Sequence, residues 1–168
     1  MKIILFIMLF CFSLLKTKRQ IVVENARNNI GSDDWAYGLF FGKDRLSSNG
    51  KVFFCSFEAK CNLFVYEMLL YAGIELDLPN KMGTSCSVVN TFLKNPEERP
   101  PTTRDWYIGE VDGMSLVGEG SDGIWKSMPG DIIVEYNDDT NTHHMGIISG
   151  TKKTISAASN EIIENVIP

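Results

Sequence analysis

The chain has 168 residues and a formal net charge of −5, from 16 basic and 21 acidic residues. That length suits one domain built on one hydrophobic core. The acidic balance excludes the basic face that a nucleic-acid partner requires.

The first stretch stands outside that core. Lys2 precedes an apolar run, "IILFIMLFCFSLL", from Ile3 to Leu15, and the polar "KTKRQ" follows. The run is too short for a membrane span, which takes about 20 apolar residues. It reads as a secretory signal peptide over residues 1–20, with an uncleaved anchor as the alternative, because no A-x-A-like site lies near residues 15–20. The pair Lys18–Arg19 is a candidate point of later processing. Without Lys2, Lys16, Lys18 and Arg19, 12 basic residues face 21 acidic ones, and the charge moves from −5 to −9. The domain at 21–168 is therefore expected outside the cell, with no stable membrane association after signal cleavage.

Within it, "IVVENARNNIGS" carries Ile21, Val22, Ala26 and Ile30 and closes on Gly31, which predicts a first helix. "DDWAYGLFFGKDRLSSNGK" reads as a loop, whose Trp35, Tyr37, Phe40 and Phe41 either pack over the core or line a groove. In "CNLFVYEMLLYAG", Leu63, Phe64, Val65, Met68 and Leu69 recur at helical spacing. This predicts an amphipathic helix that starts at Cys61 and is capped by Gly73. Residues 74–101 are rich in turn signals, with one short helix near Ser87–Leu93, and Thr102 or Thr103 N-caps another helix. From "PGDIIVEY" onward the period changes. Strands are predicted at about 131–136, 143–149, 153–158 and 161–167, with "NDDTNT" and "SGTKK" as hairpin turns. The fold class is α+β, N-terminal helices packed on a C-terminal antiparallel β-sheet.

Cys11 lies in the signal, which leaves Cys55, Cys61 and Cys86. An odd count in an oxidising compartment leaves one thiol over. The economical pairing is Cys55–Cys86 with Cys61 free, and the other two pairings stay open. No N-x-[ST] acceptor for a glycan occurs. At a helix start, outward N–H groups and the dipole favour an anion, so a thiol there is expected to have a lowered pKa and to act as a nucleophile. The bland alternative is a buried small hydrophobe.

A thiol nucleophile needs a base. The only histidines are His143 and His144, at the start of a predicted strand. Adjacent strand residues point to opposite faces: His144 shares one with Gly146 and Ile148, His143 the other with Met145 and Ile147. The alternation favours His144 without deciding, because both faces carry apolar residues. Neighbouring histidines on a strand splay apart, and no Cys or carboxylate cluster is spaced to help them, so neither a metal nor another cofactor is expected. "NDDTN" lacks the ligand spacing of a calcium loop.

"KCNLFVYEMLLYAG", "MPGDIIVEYND" and "HHMGIISG", in that order, resemble the NlpC/P60 superfamily of papain-like cell-wall peptidases. "KCNLFVY" and "ARNNIGSDDWAYG" are most similar to family 2 of the type VI secretion amidase effectors and to their secreted eukaryotic relatives, the domesticated amidase effectors. The resemblance runs over most of residues 24–160 and implies a papain-like NlpC/P60 fold. It implies Cys61 as nucleophile and His144 as base, because the family's His stands immediately before x-G-I. The polar third member that orients the imidazole falls on Ser156, where many relatives carry His, Asn or Gln. Ser159 and Asn160 are nearby alternatives, and Asp131 in "PGD" is read as structural. The implied activity is hydrolysis of amide bonds in the stem peptides or crosslinks of bacterial peptidoglycan, outside the cell, against bacteria. A homologue that has lost catalysis and only binds peptidoglycan is the competing expectation.

Overall fold

The computed structural model describes residues 16–37, 42–50, 53–54, 60–76, 101–119, 124–137 and 142–167. The first helix, α1, runs over Lys18–Asn28, three residues earlier than the apolar spacing predicts. The cause is a capping box. The Thr17 hydroxyl accepts from the Gln20 backbone N–H, and the Gln20 side chain accepts from the Thr17 N–H. Part of the stretch read as leader is thus the first turn of α1. Its side chains are engaged there: Lys18 Nζ donates to the Gly73 carbonyl at 2.8 Å, and Arg19 pairs with Asp131 at 2.9 Å. The inner face of α1 buries Val22, Val23 and Ala26.

The second helix, α2, spans Cys61–Tyr71 and starts where the sequence places it. It is not amphipathic. Cys61 and every residue from Leu63 to Leu69 are buried, including Tyr66 and Glu67. A helix hydrophobic nearly all round is a central one, and α2 packs on α1 and on the sheet. It ends in a Schellman turn: the Gly73 N–H donates to Leu70 O and the Ile74 N–H to Leu69 O, both at 2.9 Å. Gly73 sits at φ 65°, as its predicted capping role requires. The loop before α2 contains a small antiparallel ribbon, β1 (Arg45–Leu46) and β2 (Phe53–Phe54). Glu67 of α2 is fully buried beneath this loop. Its carboxylate accepts from the Ser48 backbone N–H at 2.7 Å and hydroxyl at 3.2 Å, and it lies 3.8 Å from Arg45. The Arg45 guanidinium stacks 3.9 Å over the Trp35 ring, which packs edge-on against Phe64.

A short helix, α3 (Thr103–Tyr107), opens with a second capping box, between Thr102 and Asp105. Four antiparallel strands follow as a meander in sequence order: β3 (Ile132–Asn137), β4 (Thr142–Gly150), β5 (Lys153–Ala157) and β6 (Ile162–Val166). The predicted strands match these within one or two residues. The class is α+β, with helices followed by an antiparallel sheet. Met145, Ile147, Ile155, Ala157 and Ile162 face the helices and close the core with α1 and α2. Asp131 has the structural role expected of it: besides pairing with Arg19, it accepts from the Met128 N–H at 2.7 Å, and its carbonyl accepts from the Ile148 N–H. The helix expected near Ser87–Leu93, the "NDDTNT" turn residues 138–141, and the expected Cys55–Cys86 bridge lie outside the described residues.

Candidate functional site

Cys61, the first residue of α2, is a free thiol and only 6% exposed. Its sulfur is where the helix start meets the sheet. The β4–β5 ladder runs from Ile147↔Ile155 to Gly150↔Lys153. Met145 lies beyond its end, and its backbone N–H favours the Cys61 thiolate electrostatically. The N–H groups of Asn62 and of Cys61 itself add to it, as does the Thr103 hydroxyl on α3. These donors favour a thiolate, as a helix start should. Burial opposes them and wins, so the thiol is raised above its ordinary value. The direction is opposite to the lowered pKa expected from the sequence, because Cys61 is buried where α2 packs on β4 instead of open to water.

His144 precedes Met145 on β4, half-buried and directly opposite Glu135 of β3. Burial pushes its imidazole below the ordinary value, and the Glu135 carboxylate pulls the other way. The alternation follows the predicted grouping, with an unexpected result. Met145 and Ile147 form the face against α2, so His144 and Gly146 belong to the reverse face. His143 shares the parity of Met145 but is exposed near the strand end. Among the described residues, no direct hydrogen bond joins Cys61 to His144, or His144 to Ser156.

Ser156 is buried on β5, opposite Ile163. It packs on Gly146, where a Cβ would stand 3.0 Å from the Ser156 Cβ, 2.9 Å from the Ile155 carbonyl oxygen and 2.6 Å from Thr154 Oγ1. The Gly of the H-x-G stretch is thus needed for close approach of β5 to the strand that bears His144. Ser159 and Asn160 are exposed in the β5–β6 connection. The Ser159 carbonyl accepts from the Tyr37 N–H at 3.0 Å.

Three contributors escaped the sequence reading. Tyr37 stands close enough to Cys61 for the thiolate's charge to act on it; burial chiefly, and that charge next, raise its phenol. Lys60 is fully buried immediately before the thiol, and its Nζ donates to the Ala36 carbonyl at 3.1 Å, which ties the Trp35–Tyr37 segment to the start of α2. Thr103 is the third. The aromatic loop was a visible signal for Tyr37. For Lys60 the charge pointed the wrong way, toward solvent. Thr103 was legible only as a possible cap.

Among the described residues, no group of three or more His, Cys, Asp or Glu could hold a metal ion, and no helix is long and apolar enough to cross a membrane. Comparison of the chain with protein-family models, curated proteins and solved structures finds no match.

Proposed function

We propose that this chain is a secreted cysteine amidase or endopeptidase with a papain-like NlpC/P60 architecture, hydrolysing amide bonds in the stem peptides or crosslinks of bacterial peptidoglycan. The observation that carries the reading is the packing of the buried helix that starts at Cys61 on the strand that bears His144. Nucleophile and base would come from the start of α2 and from β4, which pack on each other, with His144 on the face of β4 turned away from α2. The motif order Cys, G-D-I, H-M-G-I supports the family. An antibacterial role outside the cell follows from the leader-like start and this substrate class.

In the proposed reaction a bound amide brings the sulfur and the imidazole together, the Cys61 proton passes to His144, and the sulfur adds to the amide carbonyl. The oxyanion is held by backbone N–H groups at the start of α2. His144, now an imidazolium, gives its proton to the leaving amine as the C–N bond breaks. Water, deprotonated by His144, then cleaves the thioester and restores the thiol. Ser156 is the proposed orienter, acting on His144 from the adjoining strand.

A second reading, a homologue that binds peptidoglycan without cleaving it, is favoured by one observation. Burial holds both Cys61 and His144 toward their neutral forms. Digestion of purified peptidoglycan, with mass spectrometry of the released fragments, separates the two. New amine and carboxyl ends that vanish with Cys61→Ala support the hydrolase. Co-sedimentation with peptidoglycan and no fragments supports the binding protein.

A further inference from the structure

We propose that this chain carries a leader-peptidase site after Ser13, so that the mature protein begins at Leu14 and keeps Lys16–Arg19 as part of the fold. This rests on the apolar start being a secretory leader, as the proposed function has it. The fold sets the later bound of the cut. Thr17 is the N-cap of α1, and both its hydroxyl and its backbone N–H are exchanged with Gln20. A cut beyond Thr17 removes that cap and frays the first turn. The flanking residues are tied down as well. Lys16 pairs with Glu24 of α1, and Lys18 Nζ reaches the Gly73 carbonyl at 2.8 Å. Arg19 pairs with Asp131 at 2.9 Å. Its backbone lies so close to Gly130 that a Cβ there would stand 2.8 Å from the Arg19 Cα and carbonyl oxygen. Gly130 also has φ 95°, so two separate reasons call for glycine at that contact. Proteases cleave chain that can be drawn out of its fold, whereas the Lys18–Arg19 bond is helical and clamped. The pair is therefore not the processing point, and the cut precedes Thr17.

The sequence sets the exact bond. A leader peptidase takes small side chains at the first and third positions before the cut. Between Leu9 and Lys16 the chain reads "LFCFSLLK", and Cys11 and Ser13 are its small residues, at that spacing. A cut after Cys11, Phe12, Leu14, Leu15 or Lys16 puts a bulky side chain at one of the two positions. The cut after Ser13 leaves Ile3–Phe10 as the apolar core of the leader, within the usual length of about 7–15 residues. It also leaves Leu14, Leu15 and Lys16 between the severed bond and the Thr17 cap, so cleavage does not disturb α1. The charge of the mature chain changes with it. With Lys2 the one charged residue removed, 15 basic residues face 21 acidic ones, a net charge of −6, where a cut after residue 20 gives −9.

The test is expression of the full chain in secreting insect cells, with intact mass and N-terminal peptide mapping of the protein in the medium. The first residue should be Leu14. Ser13→Tyr should abolish that product, since a ring cannot enter the site before the cut, while Lys18→Gln with Arg19→Gln should leave the Leu14 start unchanged. A secreted chain that begins at Gln20 or Ile21, or a Leu14 start that survives Ser13→Tyr, would overturn the assignment. Thr17→Ala tests the bound set by the fold: the secreted variant should melt about 2–4 °C lower, the effect of one lost cap in a chain of this size. A melting temperature equal to that of the wild type would remove the reason for keeping Thr17 in the mature protein. The two readings fail differently. A secreted chain with another first residue sinks the cut alone, whereas an uncut chain retained in the cells sinks the secretion reading with it.

Discussion

Gly146→Ala is the sharpest test of how the fold builds this site. The added methyl would stand 2.6 Å from Thr154 Oγ1, 2.9 Å from the Ile155 carbonyl oxygen and 3.0 Å from the Ser156 Cβ. None of these is the tip of a flexible side chain. Thr and Ser are short, and the carbonyl is part of β5, so β4 and β5 must separate by about 0.5–0.9 Å to restore ordinary contact distances near 3.5 Å. Forcing one methyl into a packed interior costs about 1–3 kcal/mol. Urea denaturation should show that loss as a lower midpoint with an unchanged slope. The same movement shifts the Met145 N–H relative to the Cys61 sulfur, and small misplacements of reacting groups cost up to about a hundredfold in rate. Thr154→Ala removes the closest of the three atoms and leaves the carbonyl contact, so the double variant should regain part of the stability. A Gly146→Ala protein within about 0.5 kcal/mol of the wild type would refute the close approach of β5, and with it the reason given for a glycine two residues after His144.

Cys61→Ala and His144→Ala should each abolish peptidoglycan hydrolysis while His143→Ala keeps most of it; equal loss from both His variants, with folding intact, would mean that the base is misassigned. His144 is lowered from 6.5 and Cys61 raised from 9.0, so each contributes stability in its neutral form. The His144 contribution is full above the unfolded value and fades as pH falls from about 6.5 toward the folded pKa. That of Cys61 is full below about 9 and fades as pH rises toward its folded pKa. Melting temperature against pH should therefore sag at both ends, and His144→Asn should flatten the acid limb alone. Glu67→Ala should cost about 3 kcal/mol in urea denaturation, because the Arg45 guanidinium and the Ser48 N–H lose their buried carboxylate.

Local patterns carried most of the fold. The meander was legible because β-branched residues are cut by turn residues in "SGTKK" and "NDDTNT". The start of α2 was legible from the apolar spacing after Cys61. What failed depended on tertiary context. The first turn of α1 lay in a polar stretch that resembled the tail of a leader, and only the reciprocal cap of Thr17 and Gln20 reveals it. The inward turn of Glu67 and Lys60 has no signature in one sequence, since charged residues on a helix are expected in water until a partner is known. The two histidines could be assigned to opposite faces, but alternation cannot say which face the helix will cover.

A raised thiol beside a lowered imidazole changes how the dyad would have to work. An exposed helix start would hold a standing thiolate–imidazolium pair, ready before substrate arrives. Here the thiol is raised and the imidazole lowered, each chiefly by burial. The charge-separated pair is therefore disfavoured at rest, and the proton must move when the sulfur and the ring are brought together around a bound amide. The site already contains groups that favour the separated charges: the Met145 N–H and Thr103 hydroxyl for the thiolate, and the Glu135 carboxylate opposite His144 for the imidazolium. These are fixed in place by the capping box of α3 and by the β3–β4 ladder, so little reorganisation is required of them. A neutral resting thiol also resists oxidation better than a thiolate, since attack on oxidants follows thiolate character and exposure. If Cys61 is a nucleophile working in an oxidising space, its burial protects it at the expense of its resting reactivity.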